Sequence, residues 1–489
     1  MAEAEQRNHL LVVPFPAPSH MLPLLDLAYF LSSSFGFAVT VVVTPKNLPC
    51  LSPLLSRAPA VSPLVLPFPG DSDLPPGVED AQGLRFPHVN TLLRALGGLH
   101  GPILRWAEEA AAAYLPVSAV LSDFFLGWTH RLAADLGVPR LVFSPSGAAA
   151  LAVQHSLWRR LPQRTNFDDA EELIPFPSVP RSPLYPWRQL PTLFKIFKQG
   201  DRLSEFVRDG FLGNIDSWAF VINTFSELEK PYLDHLRDDL GHERVWAVGP
   251  LSLVGGGSTT ERDAAVEELF AWLDSCIEAS VVYVAFGSLA VLPPAQVSAL
   301  AAGLEKSGAR FVWAAKGVEE TIPERFEERV AGRGRVLRGW APQTAILSHP
   351  AVGAFLSHCG WNSVLEAVAA GVPVLTWPIS ADQYTNARLL KEELGMGTVA
   401  YEGGEPAPDP TELARVSVVR WARPRGSRPA TVYDLAKRPR SALAVRPLGS
   451  VEDWDLFDVS AELSVMDPQL GVLPARLEQR KQDPPQPPL

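Results

Sequence analysis

Residues 352–370 read VGAFLSHCGWNSVLEAVAA. Val352 to Ser357 form an unbroken apolar run of the length of a buried strand. Ser363 to Ala370 carry apolar residues at helical spacing and stop at Gly371, a residue type that closes helices. The turn between them ends a strand on a glycine and starts a helix. Strand, glycine turn and helix are the recurring unit of a parallel sheet with helices on its faces. The same turn offers free backbone N–H groups and the positive end of a helix dipole, which suits an anion. Asn362 or Ser363 suits the N-cap, and Glu366, three residues beyond Ser363, has capping-box spacing. A well-capped helix accounts for all of this without a ligand. His358 and Cys359 are neighbours at a strand end and point opposite ways, so they make a poor metal pair.

The alternation continues outward. Downstream, Val372 to Trp377 is the next strand. Upstream, Val281 to Gly287, Arg310 to Ala314 and Arg335 to Leu337 read as strands, with a helix from Pro294 to Ser307 that Gly308 closes. Nearer the start, strands are expected at His9–Pro14, Phe37–Thr44, Val117–Leu121, Arg140–Phe143, Trp218–Thr224 and Arg244–Val248. Helices are expected at Met21–Leu31 and Phe125–Leu136. The stretch Val254–Arg262 (VGGGSTTER) is a flexible linker by composition. The expected organisation is therefore an α/β domain over 1–250, a linker over 251–262, a second α/β domain over 263–415, and an Arg/Pro-rich tail over 416–489 without regular structure. Two such domains create a cleft, and open α/β sheets bind ligands at the carboxyl ends of their strands. Residues 159–202, rich in Pro and aromatics, predict an irregular wall or lid over it.

Composition removes several function classes. The 489 residues carry a net charge of -11, the wrong sign for a dedicated nucleic-acid surface. Three scattered cysteines indicate neither a disulfide scaffold nor a cysteine zinc site. The first residues lack the positive charge of a signal peptide, and no apolar run approaches the roughly 20 residues that cross a bilayer. A cytoplasmic monomer with no membrane span is expected.

Residues 340–383, WAPQTAILSHPAVGAFLSHCGWNSVLEAVAAGVPVLTWPISADQ, resemble the signature box of the plant family 1 UDP-dependent glycosyltransferases, which act on secondary products. The likeness extends to FGSL at 286–289, WAVGPL at 246–251 and FPAPSHMLPLLDLA at 15–28, and covers most of the chain up to about Arg415. It implies the GT-B architecture: two Rossmann-like parallel-sheet domains facing across a cleft, the first for the acceptor and the second for the UDP-sugar. By position, it implies that Trp340 stacks on uracil, with the Ala341 backbone and Gln343 beside it, and that Glu366 holds the ribose hydroxyls. His358, Asn362 and Ser363, with Ser288, would grip the diphosphate. Trp361, Asp382 and Gln383 fall where the family contacts the sugar; an acid and an amide at a strand's carboxyl end suit hydroxyl groups, although loop polarity alone explains them as well. His20 matches the family's base, where a lone histidine would otherwise read as structural, and Asp123 matches its partner acid. The implied reaction is an inverting transfer of glucose from UDP-glucose to a hydroxyl or carboxyl of a small phenolic acceptor such as a flavonoid, with no cofactor and no metal.

Three rival readings follow from other features. Asp71-Ser72-Asp73 has the Asp-x-Asp form of metal-dependent transferases but lies in a Pro/Gly loop. A dinucleotide oxidoreductase lacks the Gly-x-Gly-x-x-Gly turn after the first strand, and Gly395-Met396-Gly397 alone is too little. The third is a UDP-sugar-binding homologue impaired in turnover, because the helical pattern expected of the family stops near Val416.

Overall fold

Short runs of β-branched and aromatic residues become the strands of two parallel sheets. The computed structural model describes residues 8–84, 87–113, 115–251, 264–287, 291–403 and 406–418. In chain order the first half supplies β1 (His9–Val13), β2 (Ala38–Val43), β3 (Val61–Val65), β4 (Ala119–Asp123) and β5 (Arg140–Ser144). An antiparallel ribbon of β6 (Leu173–Pro175) and β7 (Leu184–Pro186) follows, then β8 (Ala219–Ile222) and β9 (Val245–Ala247). The seven-stranded sheet has the order β3-β2-β1-β4-β5-β8-β9, every pair parallel. Strands β1, β4 and β5 are buried along their full length, as expected of strands covered on both faces. Pro63, which has no N–H to donate, sits in the edge strand β3, where the ladder tolerates it.

The second half repeats the plan with β10 (Val281–Ala285), β11 (Arg310–Ala314), β12 (Gly334–Leu337), β13 (Val352–Ser357), β14 (Val374–Thr376) and β15 (Gly397–Val399), ordered β12-β11-β10-β13-β14-β15 and again all parallel. In each sheet the winding reverses once, between β1 and β4 in the first and between β10 and β13 in the second. At such a reversal the connections leave in opposite directions and open a crevice beyond the carboxyl ends of the two strands. One apolar cluster joins residues of both sheets, from Leu11 and Val13 to Phe355 and Trp361. A second, around Trp313 and Trp377, is closed by Leu413 and Val416 of the Pro410–Val418 helix.

Several expectations need correction. The first helix spans Pro18–Phe35 rather than Met21–Leu31: Pro18 fits a first turn, and Gly36 at φ 71° closes the end. The helix expected from Phe125 begins at Thr129, because the Asp123 carboxylate accepts the Phe125 N–H at 2.9 Å and holds 123–126 as a turn. Residues 159–202 are more regular than expected, with the end of the Ala148–Arg160 helix, the β6–β7 ribbon and a short Thr192–Lys195 helix. Helical structure runs past Arg415 to Val418. The linker from 252 and the tail from 419 lie outside the described residues. No helix among the described residues is long and apolar enough to cross a membrane.

Candidate active site

The first crevice brings His20 and Asp123 together. Asp123 ends β4, and His20 lies in the first turn of the Pro18–Phe35 helix that follows β1, so both stand at the carboxyl edge where the winding reverses. His20 Nδ1 lies 2.9 Å from Asp123 Oδ2; the histidine side chain is 13% exposed and the aspartate is fully buried. A carboxylate oxygen accepts, so this contact puts the proton on Nδ1 and leaves the Nε2 lone pair available. Phe124 stacks on the imidazole at 5.7 Å, and Phe15 and Phe125 pack within 5.2 Å of it. The ring is thus held in one plane by apolar walls and aimed by one acid.

The second crevice is lined by the turns after β10 and β13. A Cβ on Gly287 would lie 2.6 Å from His358 Nε2, and one on Gly360 would lie 2.5 Å from it, so glycine is required on both sides of this imidazole. Burial pushes His358 down to about 4, which keeps it neutral. The Trp361–Ala370 helix starts at Trp361 with Gly360 as N-cap and no side-chain cap. Neither Asn362 nor Ser363 caps it, and the capping box with Glu366 does not form, because these side chains are engaged elsewhere. Gln343 Nε2 donates to Glu366 Oε2 at 2.5 Å and to Ser363 Oγ at 3.1 Å, Thr344 Oγ1 donates to Glu366 Oε1 at 3.3 Å, and the Tyr283 hydroxyl donates to Gln343 Oε1. Burial raises the Glu366 carboxyl, and the Gln343 and Thr344 donors partly offset it. Trp340 stands 72% exposed, three residues before the helix that begins at Gln343, with half-buried Ala341 and Pro342 between. Ser288 lies outside the described residues.

Among the described residues, three hydrogen bonds join the two walls beside His20 and the Trp361–Ala370 helix. Asn362 Nδ2 donates to the Ser19 carbonyl at 3.0 Å, next to His20, while its buried Oδ1 has no partner among the described residues. Ser146 Oγ donates to Asp382 Oδ2 at 2.9 Å. Trp361 Nε1 donates to the Asn223 carbonyl at 2.6 Å. The Trp361 indole is therefore buried against the first half of the chain, 3% exposed, and only its backbone is placed to meet a ligand at the helix start. Gln383 turns its Oε1 back to accept the N–H groups of Ile379 and Ser380 at 2.8 and 3.0 Å. Asp382 is half-buried, its carboxyl raised by burial and pulled back by Asn386 and Ser146. Ser146, Asn223 and the Phe124-Phe125 pair escaped the sequence reading, although Pro145-Ser146-Gly147 directly after β5 is the kind of small polar turn that marks a strand's carboxyl end. The Asp71-Ser72-Asp73 loop holds Arg94, which donates to both Asp71 oxygens at 2.9 Å and to Asp73 at 2.8 Å.

A histidine–aspartate pair at one reversal and a glycine-flanked histidine turn at the other suit a nucleotide-sugar transferase, and known proteins agree. The UDP-glucoronosyl and UDP-glucosyl transferase family matches residues 236–403. Flavonol 3-O-glucosyltransferase UGT89B1 of Arabidopsis thaliana is 48% identical over 419 residues, 84% of this chain and 87% of that protein. The chain belongs to the UDP-glycosyltransferase family. UDP-glycosyltransferase 89B2 of Stevia rebaudiana is likewise 48% identical, over 84% of this chain and 88% of its own. Among solved structures, Arabidopsis thaliana UGT89C1 complexed with quercetin is 33% identical, with a TM-score of 0.69 over 88% of this chain and 93% of that one. The two sheets are those of a GT-B UDP-glycosyltransferase, and a UDP-sugar is the co-substrate.

Proposed function

We propose that this UDP-glycosyltransferase moves glucose from UDP-glucose to a hydroxyl of a flavonoid or related small phenol in the cytoplasm, inverting the anomeric centre. The His20–Asp123 pair, set opposite the start of the Trp361–Ala370 helix, carries the reading. His20 Nε2 takes the proton as the acceptor oxygen attacks the anomeric carbon; the C–O bond to UDP breaks on the opposite face, and Asp123 steadies the imidazolium. The sheet built from the first half holds the acceptor against the apolar walls around His20, and the second holds the donor. Trp340, Ala341, Gln343 and Glu366 take the uridine, the last accepting from ribose hydroxyls. His358, Asn362, Ser363 and Ser288 take the diphosphate, and the helix dipole adds only about 0.3–1 kcal/mol, so the side-chain donors supply most of the stabilisation of the leaving group. Asp382, Gln383 and the Trp361 backbone face the glucose. The names of the relatives support a flavonol acceptor. A binding-only protein is not favoured, since relatives matching over most of the chain are named as transferases.

The test is UDP-glucose turnover against a panel of flavonols and benzoates with EDTA present. Product from the wild type and a loss on the order of 10²–10⁴-fold in His20→Ala is expected. Unchanged turnover in the variant removes His20 as base; UDP binding without turnover of any phenol by the wild type removes the acceptor class.

A further inference from the structure

Glu229 is fully buried, far along the chain from every residue placed on the donor or acceptor above. It sits where the Ser226–Leu240 helix is kinked, its own backbone at φ -132° and ψ 25°. Its carboxylate accepts three hydrogen bonds: Oε2 from the Ala148 N–H at 2.8 Å and from Thr224 Oγ1 at 2.6 Å, and Oε1 from the Ala149 N–H at 2.9 Å. Ala148 and Ala149 open the Ala148–Arg160 helix, whose N-cap, Gly147, has no side chain to offer. A carboxylate from another helix therefore does the capping. Gly147 cannot take over that task, because a Cβ there would lie 2.8 Å from both Glu229 oxygens and 2.7 Å from the Trp361 ring.

The turn so clamped carries a side chain that crosses the cleft. Ser144 Oγ donates to the Ser146 carbonyl at 2.9 Å, and Ser146 Oγ donates to Asp382 Oδ2 at 2.9 Å. Trp361, pressed on Gly147, donates to the carbonyl of Asn223, whose neighbour Thr224 is bound to Glu229. The contacts close a loop: Glu229, the 146–149 turn, Trp361, Asn223–Thr224, and Glu229 again. A free carboxylate rotates about its last torsion, and Asp382 is only half-buried. The Ser146 hydroxyl fixes one of its oxygens, and Asn386 bonds the same carboxylate, so the two together set its direction.

We propose that Glu229 and Ser146 are positioning residues for the donor sugar: Glu229 holds the 146–149 turn, and Ser146 orients the Asp382 carboxylate toward the sugar hydroxyls. This rests on the reading that Asp382 meets the donor sugar. The Ser146–Asp382 arm of this loop includes none of the residues given to the uridine or diphosphate, so loss of the Ser146 hydroxyl weakens recognition of the hexose and spares that of UDP.

The experiment compares binding of UDP and of UDP-glucose by calorimetry on the full chain, without acceptor. Ser146→Ala is expected to weaken UDP-glucose roughly tenfold, the scale of one hydrogen bond to a charged group, with UDP affinity unchanged. Ser146→Thr, which keeps the hydroxyl, restores it. Glu229→Gln, whose amide nitrogen cannot accept from a backbone N–H, weakens UDP-glucose more than UDP. Should Glu229→Gln fail to fold, the Ser146 pair still decides. Equal weakening of both ligands in Ser146→Ala would overturn the proposal in favour of a general structural role. Asp382→Ala separates the two levels: if it weakens UDP-glucose while Ser146→Ala does not, the coupling is wrong, and if it changes nothing, the reading of Asp382 is wrong.

Discussion

His20 has one ring nitrogen committed to Asp123 and the other left for chemistry, and the commitment can be inverted by a single atom. Asp123→Asn presents an amide that can donate to Nδ1, which would place the imidazole proton on Nε2, the atom that must be bare to act as base. Turnover is expected to fall on the order of 10²–10⁴-fold with donor affinity unchanged, measured as kcat against the KM for UDP-glucose. Glu366 behaves differently because its proposed role is to accept from ribose hydroxyls. Its carboxylate is already aimed by Gln343 and Thr344. Glu366→Gln keeps the volume but sets amide against amide, and UDP affinity is expected to fall about tenfold by calorimetry, the scale of a hydrogen bond to a charged group. On the proposed roles, loss of the base and loss of the ribose acid thus show on separate axes, one in rate and one in affinity.

At the level of elements, the strands were legible because both faces of each sheet are covered, which leaves plain apolar runs such as Val281–Ala285 and Val352–Ser357. The helix from Pro294 to Ser307 was legible in full, since proline opens it and Gly308 at φ 65° closes it. Caps were less legible: Asn362 and Ser363 have the right chemistry for an N-cap, but partners far along the chain, Ser19 and Gln343, take their side chains. For the same reason the three bonds across the cleft could not be read locally. The β6–β7 ribbon was also missed, for its strands are three residues long and its docking is tertiary. Arg388 donates to the Leu184 carbonyl at 2.9 Å and lies over the Tyr185 ring at 5.4 Å; Arg181 pairs with Glu393, and Arg188 with Glu402. These contacts are partly exposed, so each ion pair is weak alone, about 0–1 kcal/mol. Arg388→Ala removes a carbonyl bond and a ring contact together. It is expected to speed amide hydrogen exchange across 173–186 while leaving the β1 and β4 strands protected, which exchange measured by mass spectrometry resolves segment by segment.

For the whole molecule, buried histidines set an acid limit. His9, His155 and His358 are pushed below the usual imidazole value, each chiefly by burial. The unfolded chain protonates these groups near 6.5, whereas the native state resists protonation until lower pH. Their contribution to stability is therefore fully present above about pH 6.5 and is lost as pH falls toward the native values, at up to about 1.4 kcal/mol per pH unit for each group. Glu229, Glu366 and Asp382, raised by burial, act in the opposite sense: their contribution is present at low pH and lost as pH rises through their raised values. The two sets overlap below neutrality, so a single group must be isolated. His155 serves: among the described residues neither ring nitrogen is within hydrogen-bond distance of a partner, and burial outweighs the pull of Asp239, which lies 3.6 Å from Nδ1 and is held by Arg159 at 2.6 Å. His155→Leu is expected to be at least as stable as the wild type at pH 7.5 and to lose less stability between pH 7 and 5.5. Parallel urea titrations across that range measure the two slopes; equal slopes would mean that His155 does not stay neutral in the fold.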